Sequence, residues 1–250
     1  MTLLAHAWII APVVLLAGAL IGATGIGGVL VVPVLTTLGQ VPAPQAIAAS
    51  SLAFLLPALV ALGPLRRQPS LALRCWPVLA GALAGAVVGA WLVRWLPAKA
   101  LMTGVTALVL LAGWRGLRAA PQHAAPGDVT LGPAALAALG LAVGVGSALT
   151  GTGGPVLLLP ALMLLRQPLL FSVVAAQAVQ LPVALSSGAV HALAGRLDWT
   201  LAALCGVLLL AGSLAGQRAA RRLPVHRLQR GVAVLLLVTG AWFVWLLLAR

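Results

Sequence analysis

The chain has 250 residues, 62% of them apolar and only 7% charged, with a mean hydropathy of +1.15. A soluble domain is about a quarter charged and under half apolar, and disorder requires low hydrophobicity, so both classes are excluded. Fourteen Arg and Lys99 stand against Asp128 and Asp198 alone. This base lies at the ends of apolar stretches without interleaved aromatics, which marks membrane topology and excludes nucleic acid as a partner.

A spanning helix takes roughly 20 residues, so the composition implies an all-α integral membrane protein of about eight transmembrane helices. In chain order the apolar segments are 3–21, 29–39, 44–65, 71–94 and 99–118, then 132–149, 155–166, 169–193, 198–217 and 226–248. The first is expected to stay as a span, since it has neither a positive n-region nor a small-residue cleavage site. Segments 29–39 and 155–166 are short and reach about half way across a bilayer. Between the two series lies a polar connector, 119–130. Trp91, Trp95, Trp114, Trp199, Trp242 and Trp245 fall near segment ends, as interfacial belts do. Cys75 and Cys205 match no metal spacing and read as buried small hydrophobes.

The second series repeats the first. Thr24-Gly25-Ile26-Gly27-Gly28 matches Thr150-Gly151-Thr152-Gly153-Gly154 at an offset of 126, and the inserted Pro155 raises the offset to 127. Pro33, Gln40, Gly85, Gly89, Arg94, Pro97 and Gly113 then match Pro160, Gln167, Gly212, Gly216, Arg221, Pro224 and Gly240. Shared Gly, Pro and Arg positions are not products of an Ala/Leu-rich composition, so residues 1–118 and 131–250 read as two homologous halves. Inverting one half collects Arg66, Arg67, Arg74, Arg115, Arg118, Arg218, Arg221, Arg222, Arg227 and Arg230 on one side. The other side keeps Arg94, Lys99, Arg196 and Arg250, whereas parallel halves give no bias. The positive-inside rule therefore favours inverted repeats.

Each half carries a TGxGG run that should unwind a helix, because Gly costs about 1 kcal/mol relative to Ala at a helical position. Unwound backbone at membrane depth survives only within protein or beside a wet cavity. Pro155 stands at the favoured first position of a new helix. Two helices would thus begin inside the membrane, each with free N–H groups and a partial positive charge for an anion. Candidate anion-binding residues are Thr24, Gly25, Gly27, Gly28, Thr150, Gly151, Thr152, Gly153 and Gly154. Ser50, Ser51, Gln177 and Gln180, in the following segments, join them. Each serine either bonds the carbonyl a turn back or lines a pore, while the glutamines are costly in lipid and call for a cavity or a helix contact. Gly81, Gly85, Gly89, Gly212 and Gly216 read as packing stripes, and His191, near a segment end, as interfacial packing. No catalytic motif, metal-ligand cluster or cofactor motif is present, and a nucleotide loop lacks its Lys-Ser/Thr and preceding strand.

The paired runs GIGGVLVVP and GTGGPVLLLP resemble the TauE/SafE sulfite-exporter-like family, also called the 4-toluenesulfonate uptake permease family. The resemblance covers both halves but not the connector. Val29 and Pro155 stand where a third Gly is common in that family. It implies a multi-pass transporter of the bacterial inner membrane that handles sulfite, organosulfonates or related sulfur-containing anions. Few proton carriers lie in the spans, which favours export. The alternatives are a non-transporting assembly or scaffold protein and an uptake permease for another organic anion. The expected partners are the small anion and the lipid bilayer, and a homo-oligomer is compatible with the pattern.

Overall fold

The computed structural model describes residues 2–25, 27–62, 68–118, 131–165 and 167–220, with short stretches between 230 and 248. The connector 119–130, much of segment 226–248 and the side chains of Thr24 and Arg94 lie outside the described residues. All regular structure among the described residues is helical. Helix α1 (Thr2–Thr24) is followed by a 3-10 turn (Gly28–Leu30) that leads into α2 (Val31–Thr37). Then come α3 (Ala43–Ala53), α4 (Leu55–Ala61), α5 (Pro69–Leu92), a second 3-10 turn (Val93–Trp95) and α6 (Ala98–Arg118). The later elements are α7 (Pro133–Thr150), α8 (Pro155–Leu164), α9 (Leu169–Ala178), α10 (Gln180–Leu193) and α11 (Trp199–Ala220).

Five described stretches are long and apolar enough to cross a membrane: 43–60, 69–92, 133–150, 171–193 and 199–219. Stretches 8–23 and 28–37 are apolar but shorter. Three helices, α5, α7 and α8, open on a proline, whose missing N–H has no partner to lose at the first position.

Segments 44–65 and 169–193, expected as continuous helices, each carry a kink. Pro57 cannot bond the Ala53 carbonyl four residues back, and its ring crowds that oxygen. The helix slackens at Phe54 and resumes as α4, with the Phe54 N–H still on the Ser50 carbonyl at 3.2 Å. Pro182 does the same to Ala178, and the break falls at Val179, between α9 and α10.

Packing is driven by backbone approach. α1 lies along α11, and α5 lies along α7. A Cβ at Gly89 would come 2.5 Å from the Val145 carbonyl oxygen, and one at Gly85 would strike that of Leu141. Gly212 and Gly216 stand in the same way against Leu15 and Ala19. With Cβ atoms absent, whole helix backbones touch and dispersion contacts accumulate, which is how helices associate where lipid removes the hydrophobic drive. Along α5 the buried face is Val78, Ala82, Ala86 and Ala90, while Leu83, Val87, Val88 and Trp91 point outward. Small residues inside and large apolar ones outside suit a lipid solvent. Trp76, Trp95, Trp114, Trp199 and Trp245 are also exposed, and both cysteines are free and buried.

Candidate functional site

Both TGxGG runs lie between helices. In the second, α7 stops at Thr150 because Gly151 is left-handed (φ +66°). The N–H groups of Gly151 and Thr152 close on the Ser147 carbonyl at 2.8 and 3.3 Å, as a left-handed C-terminal cap does. Gly153 (φ +81°) and Gly154 (φ +103°) carry the chain round to Pro155, where α8 begins. The Gly154 carbonyl accepts from Leu157 (3.1 Å) and Leu158 (3.0 Å). Among the described residues, the N–H groups of Gly153, Gly154 and Val156 donate to no protein acceptor. They are the donors this helix start offers to an anion.

In the first run, α1 ends at Thr24 and Gly25 is left-handed (φ +80°), with its N–H on the Ile21 carbonyl at 2.8 Å. Gly27 is not left-handed (φ −98°), and the chain enters its 3-10 turn at Gly28.

The two runs meet. A Cβ on Gly28 would lie 2.7 Å from the Thr152 carbonyl oxygen and 2.8 Å from the Phe54 ring. One on Gly153 would reach the other side of that ring at 3.0 Å. Phe54, at the kink that Pro57 creates, is thus wedged between both runs. Each run is also touched by the kinked helices beyond the other. The Ser50 hydroxyl shares its proton between the Ile47 carbonyl (3.0 Å) and the Gly151 carbonyl (3.2 Å). The Gln177 amide stands 3.4 Å from where a Gly25 Cβ would be. Ser50 and Gln177 are matched by the 127 offset, and Gly25 and Gly151 by the 126 offset.

Thr150 Oγ1 donates to the Gly146 carbonyl at 2.7 Å, so the 3.0 Å contact with Thr152 Oγ1 takes the Thr152 proton. Both hydroxyl protons are committed to the loop. Gln180 and Ser51 are 2% exposed, and Gln180 Oε1 and Ser51 Oγ have no hydrogen-bond partner. Sequence reasoning missed Phe54, Val179, which closes on Gly154, and Ser147, whose buried hydroxyl is 3.8 Å from the Gly154 Cβ position. The prolines three residues after Phe54 and Val179 were the available signal. His191, read as packing near a segment end, is packed within the protein at 0% exposure.

Among the described residues no acidic side chain stands at the runs: Asp198 lies at the start of α11, where its Oδ1 accepts the Leu201 N–H at 3.0 Å. Among the described residues no three His, Cys, Asp or Glu side chains gather as a metal site would require. No curated protein and no solved structure matches the chain. The model of the sulfite exporter TauE/SafE family matches residues 10–243, which include both runs, and the chain belongs to that family of membrane transporters.

Proposed function

We propose that this chain moves small sulfur-containing oxyanions, sulfite or an organosulfonate, outward across a bacterial inner membrane. The observation that carries the reading is the meeting of the two glycine runs at Gly28 and Thr152, in a chain whose family transports such anions. In this reading the anion sits where the runs meet, on the N–H groups that open α8, with Gly25, Gly27 and Gly28 facing it from the first run. Ser50, Ser51, Gln177 and Gln180 frame the seat, while Thr150 and Thr152 hold the loop rather than the ligand. The seat has positive helix-end charge and, among the described residues, no carboxylate, which suits an anion and disfavours a cation.

The fold in this reading is two inverted halves, each with an odd number of crossings once its short helix is counted or paired with its neighbour. Gly85 on Leu141 and Gly212 on Leu15 are one contact seen twice under the sequence offsets, as a pseudo-two-fold axis requires. Each negative charge leaving a cell with a 100 mV inside-negative potential gains about 2.3 kcal/mol, so export needs no coupled ion. Purified protein in liposomes is expected to release sulfite faster as the potential becomes more negative inside. Voltage-independent uptake that follows a pH gradient would overturn the export reading.

A further inference from the structure

One face of α10 runs from Gln180, at the seat, to polar groups that the glycine runs do not use. Gln180, Ser187 and His191 are spaced by seven and four residues, so they lie on one stripe of the helix. All three are at least nine-tenths buried, and Gln180 Oε1, Ser187 Oγ and both His191 ring nitrogens have no hydrogen-bond partner. Buried polar atoms are nearly always paired, and a serine in an apolar helix usually bonds the carbonyl a turn back. Ser186 does so, with Oγ 2.6 Å from the Pro182 carbonyl. Ser187, one residue on, does not.

The end of the stripe is charged. Gly195 (φ +66°) turns the chain back at the close of α10, and the Arg196 N–H bonds the His191 carbonyl at 3.0 Å. The turn brings Arg196 over the helix end, where Nη2 reaches the Ala90 carbonyl on α5 at 3.3 Å. A helix C-terminus ordinarily repels anions. Here three of its last four carbonyls are taken: Val190 by Ala194, His191 by Arg196 and Ala192 by Gly195. The Ser187 hydroxyl and the His191 imidazole remain, and the Arg196 guanidinium, held through Nη2 on the Ala90 carbonyl, stands at the same helix end; these donor types match an oxyanion.

Depth gives the set its place. His191 lies twelve residues beyond the Val179 kink, where Gly154 closes on α10. That is roughly 18 Å along a helix, against about 15 Å from the midplane to the edge of the hydrocarbon. We propose that Ser187, His191 and Arg196 form a second oxyanion station, at the mouth of the path leading from the glycine runs. Its place on a path rests on the transport reading; its ligand does not. The full burial of His191 means that this mouth is shut in the present conformation, as one end of an alternating-access carrier is at any time.

The test is a titration of the purified chain, carrying 15N-labelled histidine, with sulfite and with methanesulfonate at constant ionic strength. The resonance that H191Q removes is His191. It is expected to shift saturably, with S187A raising the half-saturating concentration about tenfold, R196Q raising it further and R196K restoring it. Thermal midpoints guard against misfolding, and S187A, which deletes one unpartnered oxygen, should leave the midpoint in place. No saturable shift, or a shift that S187A and R196Q leave alone, overturns the station. A saturating His191 shift in protein that moves no sulfite or sulfonate in liposomes overturns the transport reading and leaves the station standing.

Discussion

The two glycine runs share a pattern and differ in conformation. After Thr150 three glycines are left-handed, at Gly151, Gly153 and Gly154; after Thr24 Gly25 is, while Gly27 is not and Gly28 begins a 3-10 turn. The inserted Pro155 supplies the reason. A proline pushes the residue before it out of the right-handed helical region, so Gly154 takes φ +103° and α8 starts cleanly at the proline. Val29 imposes no such restriction, and the chain winds directly from Gly28 into α2. One inserted residue therefore separates a sharp helix start, with its N–H groups presented, from a gradual one. In the proposed reading the second run is therefore the better anion seat, and the first closes the space around it.

This difference makes the same substitution act through different physics in the two runs, and the largest effect is expected at Gly27. A Cβ there would strike the Ala17 carbonyl and come 2.7 Å from the Ile21 N, both backbone atoms of α1. Backbone cannot swing aside as a side chain does, so Gly27→Ala should cost about 3 kcal/mol or more. Gly153→Ala should cost about 1–2 kcal/mol for its left-handed backbone, with the Phe54 ring 3.0 Å away free to give slightly. Denaturation midpoints in detergent check the order. A loss at Gly153 equal to that at Gly27 would break the comparison.

How much of this was legible in the sequence divides along the same line. Composition and run length sufficed for an all-helical membrane chain, because apolar content and span length are properties of single segments. The glycine stripes were legible as packing surfaces for the same reason, since a Gly every fourth residue leaves one face bare whatever lies opposite. Partner choice was not. Nothing local says that Gly85 meets Leu141, that Phe54 fills the space between the runs, or that the Ser50 hydroxyl crosses to Gly151. The kinks at Phe54 and Val179 were legible in principle from Pro57 and Pro182, but segment reading by hydropathy does not register a proline that costs one hydrogen bond. His191 was legible as packing near a segment end, but nothing local says that the Gly195 turn brings the Arg196 N–H back onto its carbonyl.

A sharper test isolates the proline. Gly154→Ala should cost about 1–2 kcal/mol, because an L side chain rarely adopts φ +103°, and Val179 stands in the way. In a Pro155→Ala background the preceding residue regains the right-handed region. The same Gly154→Ala change should then lose about 1 kcal/mol of its cost. A double-mutant cycle on unfolding midpoints reads that coupling directly. Additive losses would mean that something other than Pro155 holds the second run in its conformation.

The smallest expected effect concerns the contacts that tie each run to the far side of the molecule. Ser50 Oγ lies 3.0 Å from the Ile47 carbonyl and 3.2 Å from the Gly151 carbonyl, and one hydroxyl proton cannot satisfy both fully. Ser50→Ala removes this shared bond and leaves the Gly151 oxygen facing a methyl, at about 1 kcal/mol. The Ile47 carbonyl lies within α3 and is the less exposed to that loss. The consequence should therefore appear at the second run: amide exchange at Gly151 and Thr152 quickens, while that at Gly25 stays as it was. Gln177→Ala should do the reverse, quickening Gly25 and sparing Gly151, because the amide it removes stands over the first run. If both substitutions loosen both runs equally, the runs move as one body and the difference between them is a matter of conformation alone. If each loosens only the run it touches, the two sides of the seat can be tuned separately, as an alternating-access carrier requires of the two walls around its ligand.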